Sequence, residues 1–407
     1  MPPQTRAPRA ARGGKPEDVR RHNLGTLLGH VHGSGPLSRT ELAARMGLNR
    51  STIGGLVAQL AELGLVGEAS PGGALPRPGA GRPSLVVGPR PDAAQVVAVD
   101  IGVDRVVVAL VGLGGEVLSR RQRRLPSSRS PKTVAGTILR LLDAMLPDAT
   151  GRVVGVGVAL PGVVRHADGL VRFAPNLGWV DEPLGAILRS RLRSVPQDVR
   201  IQVGNDADLG GLAEHLRGVA VGYDDVVFIA GEIGVGGGCI SAGRPLIGAG
   251  GYAGELGHLP LVPGGLACRC GARGCWETEI GGAAIARALG LADAGTDALR
   301  RAVRAEAEAG GARLGEVAQL LGRGLAGLVN LLNPQMIVIG GLLGEVFAAT
   351  SDAVRRALDA SALTAPAEQV ELVLPRLGAD AVLVGASELA WEDLLADPVA
   401  ALDVGAG

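Results

Sequence analysis

From Val19 to Val31 apolar residues recur at the steps of a half-buried helix. The Gly33-Ser34-Gly35-Pro36 break ends it, and Ser38 with Glu41 predicts a capping box opening a short second helix that buries Leu42, Ala43 and Met46. Gly47 stops that helix, and Asn49 or Ser51 then caps a third, which reaches Leu63 with Ile53, Leu56, Val57, Leu60 and Leu63 on one stripe. Leu65-Val66 and Leu85-Val86-Val87 predict two short strands, and the Pro- and Gly-rich stretch between Pro71 and Pro91 serves as their connecting tip and a linker. Helix, short helix, tight turn, helix and two strands describe a winged helix-turn-helix; a small three-helix interaction domain is the plainer alternative.

Beyond the linker the period changes. β-branched runs at Gln95–Ile101 and Arg105–Val111, a third strand at Glu116–Arg124, a helix over Pro131–Leu146 and a strand at Arg152–Val158 predict a mixed sheet flanked by helices. Val199–Val203 and Asp225–Ala230 are further strands, and the second opens into a glycine-rich run at 231–238. Val317–Leu332 is helical, Met336–Ile339 a buried strand and Ala381–Leu395 a closing helix.

Length and charge sharpen this division. A chain of 407 residues is too long for one ordinary core. The expected parts are a basic arm (1–16), a winged helix-turn-helix with linker (17–90), a first lobe (91–204, joined by a helix at about 380–397) and a second lobe (205–379). Lys and Arg balance Asp and Glu at forty each, yet residues 1–91 hold twelve basic against five acidic side chains, a surplus of seven that the remainder offsets. A basic head on an acidic body predicts an anionic partner for the head alone, and Arg50, Ser51 and Thr52 open the helix that would meet duplex DNA. The first twenty residues contain no apolar stretch, and the segment around Leu325–Leu343 is interrupted by Asn330, Asn333, Pro334 and Gln335. Neither reads as a secretory signal or a membrane span, so a cytoplasmic protein is expected.

Candidate chemistry concentrates in one segment. Gly254-Glu255-Leu256-Gly257-His258 is followed by Cys268-Arg269-Cys270-Gly271 and Gly274-Cys275-Trp276-Glu277. His258, Cys268, Cys270 and Cys275 supply one imidazole and three thiols, the complement of a closed structural Zn2+ site; a set of buried or redox-active thiols is the alternative. Cys239 reads as a small core residue.

These residues resemble the signature of the ROK family (repressors, open reading frames and sugar kinases), G-E-x-G-H followed by C-x-C-G-x-x-G-C-x-E. The likeness extends through Gly157-Val158-Ala159-Leu160-Pro161-Gly162, Pro175-Asn176-Leu177-Gly178-Trp179, Asn205-Asp206-Ala207, Asn333-Pro334 and Gly340-Gly341. With the N-terminal helix-turn-helix and Gly81-Arg82-Pro83 in the wing, it most resembles the family's transcriptional regulators. The resemblance implies an α/β body with the two-lobed actin-like ATPase fold and a sugar cleft between the lobes. It also implies roles. Asn205 and Asp206 match the pair that holds the sugar in family kinases, the Asp as base; Asn176, Glu255, His258 and Glu277 match further sugar contacts. Asn205-Asp206 can equally cap a helix starting near Ala207. Metal binding would fix 256–277 so that Glu255 and Glu277 point into the cleft, and Arg82 would lie near the DNA backbone or minor groove.

The phosphate-binding side departs from the family pattern. Asp-x-Gly-Gly-Thr is replaced by Asp100-Ile101-Gly102-Val103-Asp104, which puts a carboxylate where a hydroxyl meets phosphate, and Gly-Thr-Gly-x-Gly-Gly-Gly by Glu232-Ile233-Gly234-Val235-Gly236-Gly237-Gly238. The expectation is therefore a sugar-responsive repressor that binds operator DNA and a sugar effector, uses no ATP and acts as a homodimer or homotetramer. The alternative is an ATP-dependent hexose kinase with an appended DNA-binding domain, in which Asp206 still acts as base. A zinc hydrolase is disfavoured, because four protein ligands leave no position for water.

Overall fold

The computed structural model describes residues 16–69, 85–149, 151–192, 195–196, 198–291 and 294–403. The head begins with α1 (Pro16–Ser34), whose Glu17 and Asp18 complement the positive end of the helix dipole. A two-residue strand β1 (Leu37–Ser38) leads into α2 (Arg39–Met46). The capping box is present: Ser38 Oγ accepts from Glu41 N, Glu41 Oε2 accepts from Ser38 N, and Gly47 in the left-handed region closes the helix. Asn49, not Ser51, caps α3 (Arg50–Glu62). β2 (Val66–Ala69) and β3 (Val86–Pro89) form the wing, and β1 adds to it, giving a sheet ordered β1-β3-β2.

The body contains two five-stranded sheets of the same plan. In the first lobe β4 (Ala94–Ile101), β5 (Arg105–Gly112) and β6 (Val117–Arg124) form an antiparallel meander, followed by α4 (Pro131–Asp143) and β7 (Arg152–Leu160). A small sheet of β8 (Val163–Arg165), β9 (Leu170–Ala174) and β10 (Trp179–Glu182) precedes α5 (Leu184–Arg191) and β11 (Ile201–Asn205). The order is β11-β7-β4-β5-β6, with β4, β7 and β11 parallel. After α6 (Asp206–Arg217), the second lobe repeats the arrangement with β12 (Val226–Gly231), β13 (Val235–Ser241) and β14 (Arg244–Pro245). Then come α7 (Trp276–Ile280), α8 (Gly282–Leu289), α9 (Thr296–Glu308), α10 (Gly315–Leu332), β15 (Met336–Gly340), α11 (Gly341–Asp359), α12 (Thr364–Gln369) and β16 (Glu371–Val373). Its order is β14-β13-β12-β15-β16, again a meander joined to parallel strands. α13 (Ala381–Ala396) returns to the first lobe, packing on β4, β7 and α6, and α14 (Pro398–Asp403) follows. A helix-turn-helix head on this two-lobed α/β body is the architecture implied by the signature.

Two features bear on function. Leu24, Leu27, Leu28, Val31 and Leu60 of the head pack in one apolar core with Ala94 and Val96 of β4 and Leu389, Trp391 and Leu394 of α13. A Cβ on Gly25 would stand 2.3 Å from Leu395 O, so the α1–α13 crossing needs glycine there. Secondly, α6 lies between α13 and the β12–β13 hairpin, touching both lobes.

The glycine-rich run differs from expectation. Only 232–234 is a turn, closed by Glu232 N donating to Gly234 O, whereas Gly236, Gly237 and Gly238 lie inside β13. Their smallness serves packing: a Cβ on Gly236 would meet Ala207 Cβ at 2.7 Å, and one on Gly238 would meet Asp208 Cα at 2.9 Å. Gly236 and Gly238 thus admit the first turn of α6, and Gly237 admits the side chain of Leu256. The β8–β10 sheet was not foreseen, its strands being too short for period-2 alternation to register.

Candidate functional site

The body's polar residues converge where the first sheet's strands end, beside the N-terminus of α6. Asn205 caps α6: its Oδ1 accepts from Ala207 N (2.7 Å) and Asp208 N (3.1 Å), and its Nδ2 donates to Gly162 O (3.0 Å). Its oxygen is occupied within the fold, which leaves one N–H for a ligand. Of the two readings of Asn205-Asp206, the helix cap is thus the one present in the fold, with Asp206 opening the first turn of α6.

Asp206 Oδ1 accepts from Ala207 N at 2.9 Å. Burial, then the charges of Asp100 and Glu255, push its carboxyl up to about 7 against these backbone bonds. Burial raises Asp100, at the end of β4, to about 6 although Arg105 and Arg120 oppose it. Asp208 is raised to about 8 by burial, then by Glu255 and Asp206. Asp100 and Asp208 were not among the residues predicted for the sugar. Asp208 stands two residues beyond Asp206 on the first turn of a helix, a spacing that only the turn of α6 against β13 converts into proximity.

The segment after β14 supplies the other groups. Glu277, on α7, accepts from Val235 N through Oε2 (2.8 Å), and Cys268 Sγ lies 3.8 Å from its Oε1. His258, Cys268, Cys270 and Cys275 place one ligand atom each within 4.8 Å of one another. Cys268 Sγ to His258 Nδ1 is 3.7 Å and Cys270 Sγ to Cys275 Sγ is 3.6 Å. A tetrahedral zinc with bonds of roughly 2.0–2.3 Å needs ligand separations of about 3.5–3.8 Å, so these groups fit a metal ion. Nδ1 of His258 faces this group, and its Nε2 stands 4.0 Å from Glu255 Oε2. The ring thus faces the cysteines and Glu255 through different nitrogens.

Asn176, in the turn between β9 and β10 of the first lobe, is reached from the second lobe. Arg269, between two of the cysteines, donates from Nη1 to Asn176 Oδ1 (2.8 Å), and Arg129 donates to Asn176 O (2.9 Å). Arg269 was not foreseen as a site residue, because its position in the motif carries no chemical requirement of its own.

On the phosphate side, Asp104 is exposed at the β4–β5 turn, where Gly102 N donates to Arg105 O. Gly234 sits against Glu277, since a Cβ there would meet Oε2 at 2.6 Å. Glu232 pairs with Arg300 of α9, whose Nη1 also donates to Glu345 Oε1 of α11 (2.5 Å). Burial raises the Glu232 carboxyl, an effect that Arg300 opposes. Arg304 donates to Glu345 Oε2 at 3.1 Å, extending this network.

In the head, Arg50 and Ser51 are exposed and Thr52 is half-buried at the start of α3. Ser51 Oγ donates to Asn49 Oδ1 (2.7 Å), which also accepts from Thr52 N (2.8 Å). Arg50 is the cation at this helix start. Arg82 lies outside the described residues. No helix among the described residues is long and apolar enough to cross a membrane.

Residues 25–74 match the MarR family and residues 96–393 match the ROK family. A xylose repressor of Caldicellulosiruptor bescii is 26% identical over 384 residues, covering 89% of this chain and 93% of its own. A glucokinase of Streptomyces coelicolor is 29% identical over 324 residues, covering 74% of this chain and 98% of its own. The crystal structure of a ROK family transcriptional regulator, a homologue of the Escherichia coli MLC protein, superposes with a TM-score of 0.77 at 24% identity, covering 96% of this chain and all of the other. That likeness places head and body together in one known fold. With its signature segment folded as described and the match running through both lobes, the chain belongs to the ROK family.

Proposed function

We propose that the protein is a sugar-responsive transcriptional repressor, whose head binds operator DNA and whose body binds a free sugar without phosphorylating it. The observation that carries this reading is the division of the cleft. Carboxylates and amides suited to hydroxyl groups stand on one side. On the other, Asp104 and Glu232, the latter paired with Arg300 and through it with Glu345, stand in the two turns whose sequences depart from the family's phosphate-binding pattern. The sugar contacts are Asn176, Asn205, Asp206, Glu255, His258 and Glu277, and the head reads DNA from Arg50, Ser51 and Thr52, with Arg82 in the wing. His258, Cys268, Cys270 and Cys275 hold a structural Zn2+, which ties 256–277 together. The protein works in the cytoplasm as a homodimer or homotetramer, presenting two heads to a pseudo-palindromic site.

Asp206 keeps a second reading open, because a carboxyl raised to about 7 suits a general base toward a sugar hydroxyl. One experiment separates the two. The full chain is titrated onto the DNA upstream of its own gene, with and without D-xylose or D-glucose, and ADP release is followed in parallel. A sugar-dependent change in DNA affinity without ADP release supports the repressor; sugar-dependent ADP release abolished by Asp206→Asn replaces it with the kinase. Arg50→Ala in the same titration reduces the slope of log affinity against log salt by about 1 if Arg50 meets a phosphate.

A further inference from the structure

The junction between head and body carries a buried polar knot that the proposed function does not by itself require. Arg217, the last residue of α6, donates from Nε to Glu388 Oε1 of α13 (2.5 Å) and from Nη1 to Gly114 O in the β5–β6 turn (3.0 Å). Its Nη2 stands 2.6 Å from Nε2 of His32, in the last turn of α1. His32 Nε2 is 3.1 Å from Glu388 Oε2, and Gly114 N donates to His32 Nδ1 at 2.9 Å. His32 is 2% and Glu388 5% exposed, and Trp391 packs on the imidazole with ring centres 5.3 Å apart. Space for the guanidinium is built in, since a Cβ on Gly115 would stand 2.8 Å from Arg217 Cζ.

Stability alone does not account for this knot. Leu24, Leu27, Leu28, Val31, Leu389 and Leu394 belong to the same core, and well-packed apolar side chains in place of a buried ion pair are often as stabilising or more so. The best-attested use of such groups is to fix a register or to switch.

The hydrogen-bond inventory favours switching. A neutral imidazole has one lone pair and one N–H. Two donors face this ring, Gly114 N–H at Nδ1 and the Arg217 guanidinium at Nε2, and the ring can accept from only one. With its proton on Nε2, His32 accepts from Gly114 and donates to Glu388, while the Arg217 Nη2 bond is lost. With the proton on Nδ1 it accepts from Arg217, and the Gly114 bond is lost. An imidazolium satisfies neither donor. The knot therefore has two alternative arrangements, each leaving a different one of α6 and the β5–β6 turn bonded to the head.

α6 connects this choice to the cleft. Its first turn carries Asp206 and the Asn205 cap, and its last residue is Arg217, about 18 Å away at 1.5 Å per residue. It is packed between α13 and the β12–β13 hairpin, so a shift between the lobes is felt along its whole length. We propose that Arg217 is the positioning residue through which the cleft sets the pose of the DNA-binding head, by making or releasing its bond to His32. A filled cleft tilts α6, selects one arrangement of the knot and re-aims α1 with the rest of the head.

The inference rests on the repressor reading, and the test separates the two. In full-length protein, Arg217→Lys keeps the charge but cannot bond Glu388, Gly114 and His32 together, and His32→Gln removes the tautomer choice. D-xylose and D-glucose are the probes. Sugar affinity is measured by calorimetry without DNA, and DNA affinity by fluorescence anisotropy with and without sugar. Both variants are expected to bind sugar within about threefold of the unsubstituted chain, while the ratio of DNA affinities with and without sugar falls to within about twofold of one, that is, within about 0.4 kcal/mol of no coupling. Either variant keeping the original ratio in a folded protein overturns the role of the knot and leaves the repressor reading intact. If neither sugar alters the DNA affinity of the unsubstituted chain, the repressor reading falls and this inference with it.

Discussion

The two sides of the cleft are built from similar parts and handle charge in opposite ways. On one, Asp100, Asp206 and Asp208 lie around the start of α6, and burial, then neighbouring carboxylates (Asp104 for Asp100, Asp100 and Glu255 for Asp206, Glu255 and Asp206 for Asp208), holds all three carboxyls well above the usual range. On the other, Glu232 at the β12–β13 turn and Glu345 in the first turns of α11 share Arg300. A polyol can satisfy crowded carboxyl groups by donating hydroxyl hydrogens, and it brings no charge of its own. A nucleotide brings several negative charges and would have to compete with Glu232 for the same guanidinium. On the reading proposed above, the first group of carboxyls is left to a neutral ligand, while the charges of Glu232 and Glu345 are met by Arg300 within the protein.

The largest expected effect comes from removing the proposed metal ion. Cys275 is fully buried at the start of α7, one of the four residues that can hold a metal. Cys275→Ser, or prolonged chelation, is expected to release one metal ion per chain and lower the melting temperature by about 5 °C or more. Sugar binding should be lost with it, because Glu255 and Glu277 flank the released segment. Elemental analysis with calorimetry checks this, and an unaltered melt in metal-free protein would show that the segment stands without metal. The Glu232–Arg300–Glu345 network lies on other elements and should survive.

Next comes the central carboxylate. Asp206→Asn replaces a charged acceptor with a neutral one, and a lost charge-assisted hydrogen bond corresponds to about 10- to 100-fold in sugar affinity. The pH dependence has a definite sign. Asp206 has its folded value raised to about 7 from 3.8, so above about pH 4 the folded state retains a proton that the unfolded state has released. Its contribution to stability therefore falls as pH rises from about 4 through 7. Asp100 and Asp208, raised to about 6 and about 8, act in the same direction and titrate together with it. The melting temperature should decline between about pH 5 and pH 8, less steeply in Asp206→Asn, while sugar affinity rises through about pH 7 as the carboxylate forms. A flat profile in both proteins would remove the electrostatic half of the comparison.

These two sides were not equally legible from the chain. The metal group, the head's helices and the Asn205 cap follow from local chemistry: cysteine spacing, a capping box and an Asn before a helix are readable over a few residues. Asp208 and Arg269 acquire meaning only when α6 settles on β13 and the metal segment crosses to Asn176. The glycines of 236–238 invited a loop because backbone freedom is their commonest local use, yet Gly236 and Gly238 lie against α6 and Gly237 against Leu256, all within a strand. His32, Arg217 and Glu388 lie far apart in sequence, so no window could have connected them.

A smaller effect is expected where the two lobes are bridged. Arg269 donates to Asn176 Oδ1, which orients the amide so that its N–H groups are free to donate. Arg269→Ala should weaken sugar binding about three- to tenfold, the range of one ordinary hydrogen bond, without loss of metal. Asn176→Asp makes a stronger partner for Arg269 but has no N–H to offer. If orientation of the amide is what matters, this variant also binds sugar less tightly; if the bridge alone matters, it binds as well as the original or better. Calorimetry on both variants decides between these.

The smallest effect should come from reopening the closed side. Asp104→Thr and Ile233→Thr restore hydroxyls at the two turns, and Glu232→Gly frees Arg300 from one of its two carboxylates. Phosphoryl transfer needs in-line geometry from several preorganised donors, and the restored hydroxyls supply only two of them. The triple variant is therefore expected to bind a non-hydrolysable ATP analogue only in the millimolar range, about 4 kcal/mol, with little turnover. Glu232→Gly alone should account for most of that gain, since it removes a negative charge beside the incoming phosphates while Ile233→Thr adds only a neutral donor. Equal gains from the two would mean that missing hydroxyls, rather than the pairing of Glu232 with Arg300, keep the nucleotide out. Binding already present in the unsubstituted chain at micromolar analogue would show that the network does not close this side at all.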